Sequence, residues 1–186
     1  MNAELTPYPD RLVVAASALV DMLEAARRVH PKNWSEAVRR YLGVGFEGRW
    51  DTTLVWAAGQ LSHYDYVKNC SNWPIPREPT PNRLAAFGRR YGLLRRDVKV
   101  GDIVLHYGPA HAGFVRVGIA AAIVRRGHWS PNRPYVDVLS IEGASSELMM
   151  PDDTHAMRLT RRLAASSGDR FLRWTAIKWN AAAEGR

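Results

Sequence analysis

The chain has 186 residues, 46% of them hydrophobic, and a formal net charge of +8 at pH 7. This length and composition suit one buried core, so we expect residues 1–186 to form a single domain. The only cysteine, Cys70, excludes an internal disulfide and a thiolate-rich metal site. The positive charge favours an anionic partner, although the arginines are scattered along the chain and form no single basic tract.

The first part of the chain predicts helices. Asp10 is a suitable cap for a helix that ends before Pro31, and Asn33 with Glu36 resembles the start of a second, short helix. An apolar run at 12–20 follows acidic residues instead of basic ones, so we expect no signal peptide and synthesis in the cytoplasm. No stretch is long and apolar enough to predict a membrane span. The apolar positions of the first helix recur every three or four residues: Leu12, Ala16, Leu19, Leu23 and Ala26.

A third helix is predicted to begin at Asp51, after a glycine-rich loop at 43–48. Four prolines between 74 and 81 exclude helix and central strand, so this stretch is predicted to be an ordered surface loop. Thr80 and Pro81 have the residue types of an N-cap and first helical position. They predict a fourth helix through Tyr91, stopped by Gly92.

The hydrophobic period changes from helical to alternating at about residue 98. Short apolar stretches bracket a Gly101-Asp102 turn, and strong strands are predicted at 112–124 and 135–141. Weaker strand patterns occupy 156–163 and 171–179. Helices followed by antiparallel strands predict an α+β fold in which the N-terminal helices pack on the sheet.

Three polar residues are predicted at the edges of these elements. Asp51 starts a helix, His111 starts a strand, and Glu142 ends the next strand. A group at a helix start, a base on a strand and a third orienting residue form the general arrangement for acyl transfer. The alternatives are a helix cap, a strand-start histidine bonded to backbone, a turn glutamate, or a divalent metal site made by the three together.

Several short segments, in order, resemble the motifs of the CHAP domain, a family of cysteine- and histidine-dependent amidohydrolases and peptidases. The resemblance covers about residues 45–145, and it implies a papain-like fold and an origin in peptidoglycan cleavage. It places His111 on the family's histidine, Glu142 on its orienting carboxylate, and Asp51 on its nucleophilic cysteine. The segments are G-R-W-D-T-T-L-V-W at 48–56, N-C-S-N-W at 69–73, V-G-D-I-V-L at 100–105, H-A-G-F-V at 111–115 and S-I-E-G at 140–143.

A carboxylate is a far weaker nucleophile toward amides than a thiolate, so the family's reaction is expected to be absent. The main hypothesis is a domain without thiol hydrolase activity, acting as a binding or structural component of a phage particle or related envelope-penetrating machine. Its expected partners are peptidoglycan, another anionic cell-wall polymer, or other particle proteins, with Trp50 and Trp73 as stacking residues. No cofactor and no metal are predicted.

Two other hypotheses remain open from the sequence. One is an active peptidoglycan amidase or endopeptidase that uses Asp51, His111 and Glu142 in an altered mechanism. The other is a nucleic-acid-binding protein that uses its arginine-rich surface, although no recognition motif supports it. Cys70 is an alternative thiol, but a lone cysteine is more often a small buried apolar residue.

Overall fold

The computed structural model describes residues 9–29, 50–65, 67–78, 80–144 and 155–177. Within these ranges the chain forms three α-helices and a six-stranded antiparallel sheet, which confirms the predicted α+β class. The helix predicted from Asn33 lies outside the described residues. The helices are α1 (Pro9–Val29), α2 (Trp50–Ser62) and α3 (Pro81–Arg90).

Two very short strands, β1 (Tyr64–Asp65) and β2 (Cys70–Ser71), pair as a small antiparallel hairpin after α2. The main sheet has the order β3-β8-β4-β5-β6-β7, and all neighbours in it are antiparallel. Its strands are β3 (Leu94–Arg95), β4 (Ile103–Gly108), β5 (Gly113–His128), β6 (Pro134–Ala144), β7 (His155–Leu163) and β8 (Arg170–Leu172).

The apolar period of α1 and the cap of α3 agree with the sequence, whereas Asp10 lies inside the first turn of α1 and not at its cap. Leu12, Ala16, Leu19 and Leu23 of α1 are buried. Thr80 caps α3, because its Oγ1 accepts a hydrogen bond from the Arg83 N–H at 3.3 Å. Gly92 follows α3 with a φ of 63°, a left-handed conformation that glycine adopts without strain. None of the described helices is long and apolar enough to cross a bilayer.

The apolar stretch before the Gly101-Asp102 turn forms no strand, because the buried Asp102 carboxylate accepts the Lys99 N–H at 2.8 Å and folds 99–102 into a turn. The end of the described chain differs from the weak strand pattern predicted there. The strand predicted at 171–179 ends at Leu172. A single helical turn follows at Trp174–Ala176, and its indole N–H donates to the Gly101 carbonyl at 2.9 Å. This bond joins the helical turn after β8 to the Gly101-Asp102 turn and satisfies the buried Trp174 indole.

The main core lies between the helices and one face of the sheet. Because α2 packs against α1 on one side and β5 and β6 on the other, its residues from 51 to 59 are almost all buried. Side chains from Leu12 to Trp174 belong to this one cluster, so both ends of the described chain contribute to it.

The opposite face of the sheet buries a second, smaller apolar cluster that joins β4 and β8 to β6 and β7. In a flat sheet β4 and β7 would lie about 14 Å apart, because β5 and β6 separate them. However, the Asp169 carboxylate accepts both the Tyr107 N–H of β4, at 3.0 Å, and the Ala164 N–H just after β7, at 2.9 Å. The sheet is therefore strongly curled, and this second face lines its inside.

Candidate functional site

Asp51 lies in the first turn of α2 with its side chain 1% exposed. Its Oδ1 accepts the Thr52 N–H at 2.9 Å, and its Oδ2 accepts the Val117 N–H of β5 at 3.0 Å. The carboxylate thus satisfies one backbone donor at the helix start and one in the sheet. Through these two hydrogen bonds, Asp51 connects the start of α2 to β5.

The pairing of the neighbouring strands explains why the Val117 N–H, a backbone donor of the sheet, binds a side chain from a helix. Pairing between β5 and β6 stops at Gly118 and Glu142, whereas β6 stays paired with β7 as far as Ala144. Beyond Gly118, β5 therefore has no ladder partner from β6, and the buried Val117 N–H would lack an acceptor. The Asp51 carboxylate supplies that acceptor at the point where the two strands separate.

Glu142 lies beside the same point of β5 and is 2% exposed. Arg161 of β7 binds both of its oxygens, with Nη2 to Oε2 at 2.8 Å and Nε to Oε1 at 3.0 Å. The Nε2 atom of His106, on β4, lies 3.2 Å from Oε1. Burial alone would raise the pKa of Glu142, but the hydrogen bonds and charges of His106 and Arg161 outweigh it and bring the pKa to about 2. Glu142 is a buried, ionised carboxylate.

The absence of a side chain at Gly118 makes this cluster possible. A Cβ at Gly118 would lie 2.7 Å from Glu142 Cγ and 2.3 Å from Ser140 Oγ. Any larger residue would push both side chains away, so glycine lets Glu142 lie over β5 toward His106. The Ser140 hydroxyl is buried and has no hydrogen-bond partner among the described residues.

Asp51 and Glu142 therefore lie beside consecutive residues of β5. Asp51 accepts the Val117 N–H, and Glu142 is the strand partner of Gly118. Successive side chains of a strand point to opposite faces, and Val117 belongs to the core under the helices. Glu142 lies with Gly118 on the other face. The two carboxylates thus flank one stretch of backbone from opposite sides.

His111 does not join them, contrary to the prediction. It lies in the exposed helical turn Pro109–His111 between β4 and β5, and not at a strand start. Within the described ranges, no hydrogen bond or ion pair joins His111 to Asp51 or Glu142. The imidazole beside Glu142 belongs to His106, because β4 and β6 both flank β5 at this level whereas the turn carries His111 beyond the end of the ladder.

Trp73 is also placed differently from the prediction, since it is only 7% exposed. A Cβ at Gly59 of α2 would lie 2.1 Å from its ring, so the indole packs directly on the helix backbone. Its ring centroid is 5.0 Å from that of Trp174 and 5.2 Å from that of His63, whose pKa is lowered by burial. Trp73 is a core residue and not a surface for stacking sugars.

The two remaining candidate residues are Trp50 and Cys70. Trp50 begins α2, and its side chain lies outside the described part of the structure. Cys70 is an exposed, free thiol on β2, so the favoured interpretation as a small buried apolar residue is wrong.

His106 and Arg161 are the members of the cluster that the sequence did not reveal. Each carried a weak signal, because each is a polar residue on a strand whose neighbours on the same face are apolar, Val104 and Leu163. Their partner could be identified only from the strand register.

The chemistry of this arrangement is that of a structural site. The oxygens of Asp51 and Glu142 accept bonds from fixed protein donors, and both side chains are buried. A general base must reach a substrate proton, and neither carboxylate is exposed enough to do so. Among the described residues, no group of three or more His, Cys, Asp and Glu side chains could hold a metal ion.

No family model, no curated protein and no solved structure matches the chain.

Proposed function

We propose that the chain is a CHAP-like domain of papain-like fold that has lost thiol hydrolase activity and acts as a cell-wall-directed binding or structural component. The observation that carries the proposal is Asp51, a buried carboxylate at the helix start where the family resemblance requires a cysteine. The order of elements is compatible with it. A helix start abuts the sheet, a Gly101-Asp102 turn precedes a strand, and Glu142 lies near the end of another.

Asp51 supports the loss of activity in two ways. As a nucleophile it would have to form a mixed anhydride with the acyl group of an amide, which offers little advantage over direct attack by water. As a structural residue it accepts two backbone N–H groups, at 2.9 and 3.0 Å. Replacement of cysteine by aspartate removes the thiolate nucleophile and at the same time stabilises the start of the helix.

The position of histidine argues against the alternative of an active carboxylate-based hydrolase. His111 has no hydrogen bond or ion pair with Asp51 or Glu142 in the described ranges, and a base has to lie within hydrogen-bond reach of its partner. His106 does contact Glu142, but both lie on the face of the sheet opposite to the Asp51 carboxylate. No described imidazole is positioned to activate a group at Asp51.

The choice of an envelope partner is supported by the resemblance and by the net charge of +8, which favours peptidoglycan or another anionic wall polymer. A place in a phage particle or a related envelope-penetrating machine follows from the same resemblance, with other particle proteins as further partners. Because Trp73 is buried, binding would depend on exposed side chains and not on that ring.

The test is a pair of assays on purified sacculi. The unmodified protein should sediment with sacculi, less so as salt is raised, and should release no soluble muropeptides. Asp51→Cys should be equally inactive, because no described imidazole faces that position. Lysis by the unmodified protein that Asp51→Asn abolishes would establish the hydrolase instead. Failure to sediment with sacculi, together with salt-dependent binding to DNA or RNA, would favour the nucleic-acid hypothesis.

A further inference from the structure

An open groove of about 460 Å³ runs along the outer face of α3. One wall is the proline-rich loop, which contributes Pro76 and Glu78. The other wall is α3 and its C-terminal cap, which contribute Arg83, Phe87, Arg90 and Tyr91. The groove contains none of Asp51, His106 or Glu142, so it is separate from the site described above.

The spacing of the helical residues explains this wall. The buried side of α3 consists of Pro81, Leu84, Ala85 and Gly88. Residues 83, 87 and 90 are separated by four and three positions, so they share the opposite face of the helix. This face is thus both basic and aromatic, with Phe87 half-buried against the main core and the two arginines exposed.

The groove has charges that the described protein does not neutralise. Arg83 and Arg90 are exposed, and neither guanidinium has an ion pair within the described ranges. Among the described residues of the lining, Glu78 is the only acidic one, so two cations face one anion. Such a lining attracts carboxylate groups, and guanidinium is the side chain best suited to bind them in a fixed orientation.

An aromatic floor made of Phe87 and Tyr91 lies beside the two arginines. The rings of Phe87 and Tyr91 are 4.8 Å apart, and Tyr91 is 56% exposed. The Arg90 guanidinium carbon lies 5.5 Å from the centroid of the Tyr91 ring, which holds the charge at the edge of this floor. An inorganic anion would leave the floor uncovered, whereas a peptide side chain would pack on it.

We propose that this groove binds an extended acidic peptide, with one carboxylate on Arg83, another on Arg90, and an apolar side chain between them on Phe87 and Tyr91. Seven residues of helix advance about 10.5 Å, at about 1.5 Å each. Successive side chains of an extended peptide point to opposite faces, so two acidic residues and the apolar residue between them share one face at positions i, i+2 and i+4. Four residues advance about 13 Å, at about 3.3 Å each, and the long arginine side chains span the difference of about 3 Å. The matching ligand therefore carries two acidic residues four positions apart, with an apolar residue midway. The inference goes beyond the proposed function, because it needs neither the Asp51 site nor a wall polymer.

The experiment uses fluorescein-labelled eight-residue peptides with a central phenylalanine and two glutamates placed two, three, four or seven positions apart. Fluorescence polarisation with the full chain should show the tightest binding for the spacing of four, in which both glutamates and the phenylalanine share one face of the peptide. Replacement of both glutamates by glutamine should abolish that binding. Arg83→Glu and Arg90→Glu should each weaken it at least about fivefold, since each turns an ion pair into a repulsion.

Arg89→Glu is the matched control. Arg89 is exposed in the same last turn of α3 and undergoes the same charge change, but it does not line the groove. It should change the affinity by less than about twofold, as expected for a change in long-range charge alone. Binding of none of the four peptides, or equal losses for Arg89→Glu and Arg90→Glu, would overturn the proposal. Tighter binding of a single-stranded oligonucleotide or of anionic lipid vesicles, with the same dependence on Arg83 and Arg90, would also overturn it.

Discussion

Replacement of Asp51 should show how much the buried carboxylate contributes to folding. We expect Asp51→Ala to destabilise the protein strongly and Asp51→Asn to destabilise it less. In the alanine variant the Val117 N–H stays buried without its acceptor, since Val117 is 0% exposed and β6 does not pair with it.

The magnitude follows from the two bonds that are lost. A buried donor left unsatisfied costs about 1–3 kcal/mol, and loss of a carboxylate at a helix start costs about 1 kcal/mol. Asp51→Ala should therefore lower the free energy of unfolding by roughly 2–4 kcal/mol. Asparagine keeps one oxygen acceptor but places an NH₂ group near the second donor, so about 1–2 kcal/mol is expected.

The measurement is urea unfolding at pH 7, followed by far-UV circular dichroism, with a constant m-value as the check on two-state behaviour. Hydrogen exchange gives a local readout, because the amide of Val117 should exchange faster in Asp51→Ala. Asp10→Asn is the matched control, since Asp10 is an exposed acidic residue in the first turn of α1. It should change the stability by less than about 0.5 kcal/mol.

The order of the variants decides the outcome. If Asp51→Ala and Asp51→Asn both behave like Asp10→Asn, the carboxylate does not fasten α2 to β5. If Asp51→Asn leaves the stability unchanged but alters the activity on sacculi, Asp51 has a chemical role that its hydrogen bonds do not suggest.

Three further predictions concern the rest of the fold. Glu142 has a folded pKa of about 2 against an ordinary value of 4.5. It should therefore stabilise the protein by roughly 3 kcal/mol above about pH 4.5, a contribution that is lost as the pH falls toward 2. Acid unfolding of Glu142→Gln should lack this dependence, and an unchanged acid transition would contradict it. Arg161→Ala leaves the Glu142 charge buried without its arginine partner, so it should lower the free energy of unfolding in urea by about 3 kcal/mol. Arg158→Ala removes only the exposed Arg158–Asp21 pair, so it should lower that free energy by less than about 1 kcal/mol. Equal costs for the two arginines would refute this distinction. Gly59→Ala places a Cβ 2.1 Å from the Trp73 ring, so it should shift the tryptophan fluorescence and cost about 1–3 kcal/mol, although alanine is the better helix former.

Much of the fold was predictable because local rules agree with the tertiary structure. The period of apolar residues in α1, the Thr80 cap of α3 and the apolar, β-branched runs of β5 and β6 each depend on neighbours within a few positions. The strand predicted at 171–179 ends early, at Leu172, because the next residue contacts a distant part of the chain. Asp102 is held by Arg173, which lies 71 residues away and donates to its oxygens at 2.9 and 3.2 Å.

The candidate site was only partly predictable. The sequence by itself determined that Asp51 lies in the first turn of a helix and that Glu142 lies near the end of a strand, because helix-start preferences and hydrophobic period are local properties. Only the tertiary structure decided what these carboxylates contact. Strand register brought His106, rather than His111, to Glu142, and the separation of β5 from β6 left the Val117 N–H for Asp51. A one-residue change in register moves every side chain to the other face of a strand, so such partners follow from the pairing of distant strands and not from any local pattern.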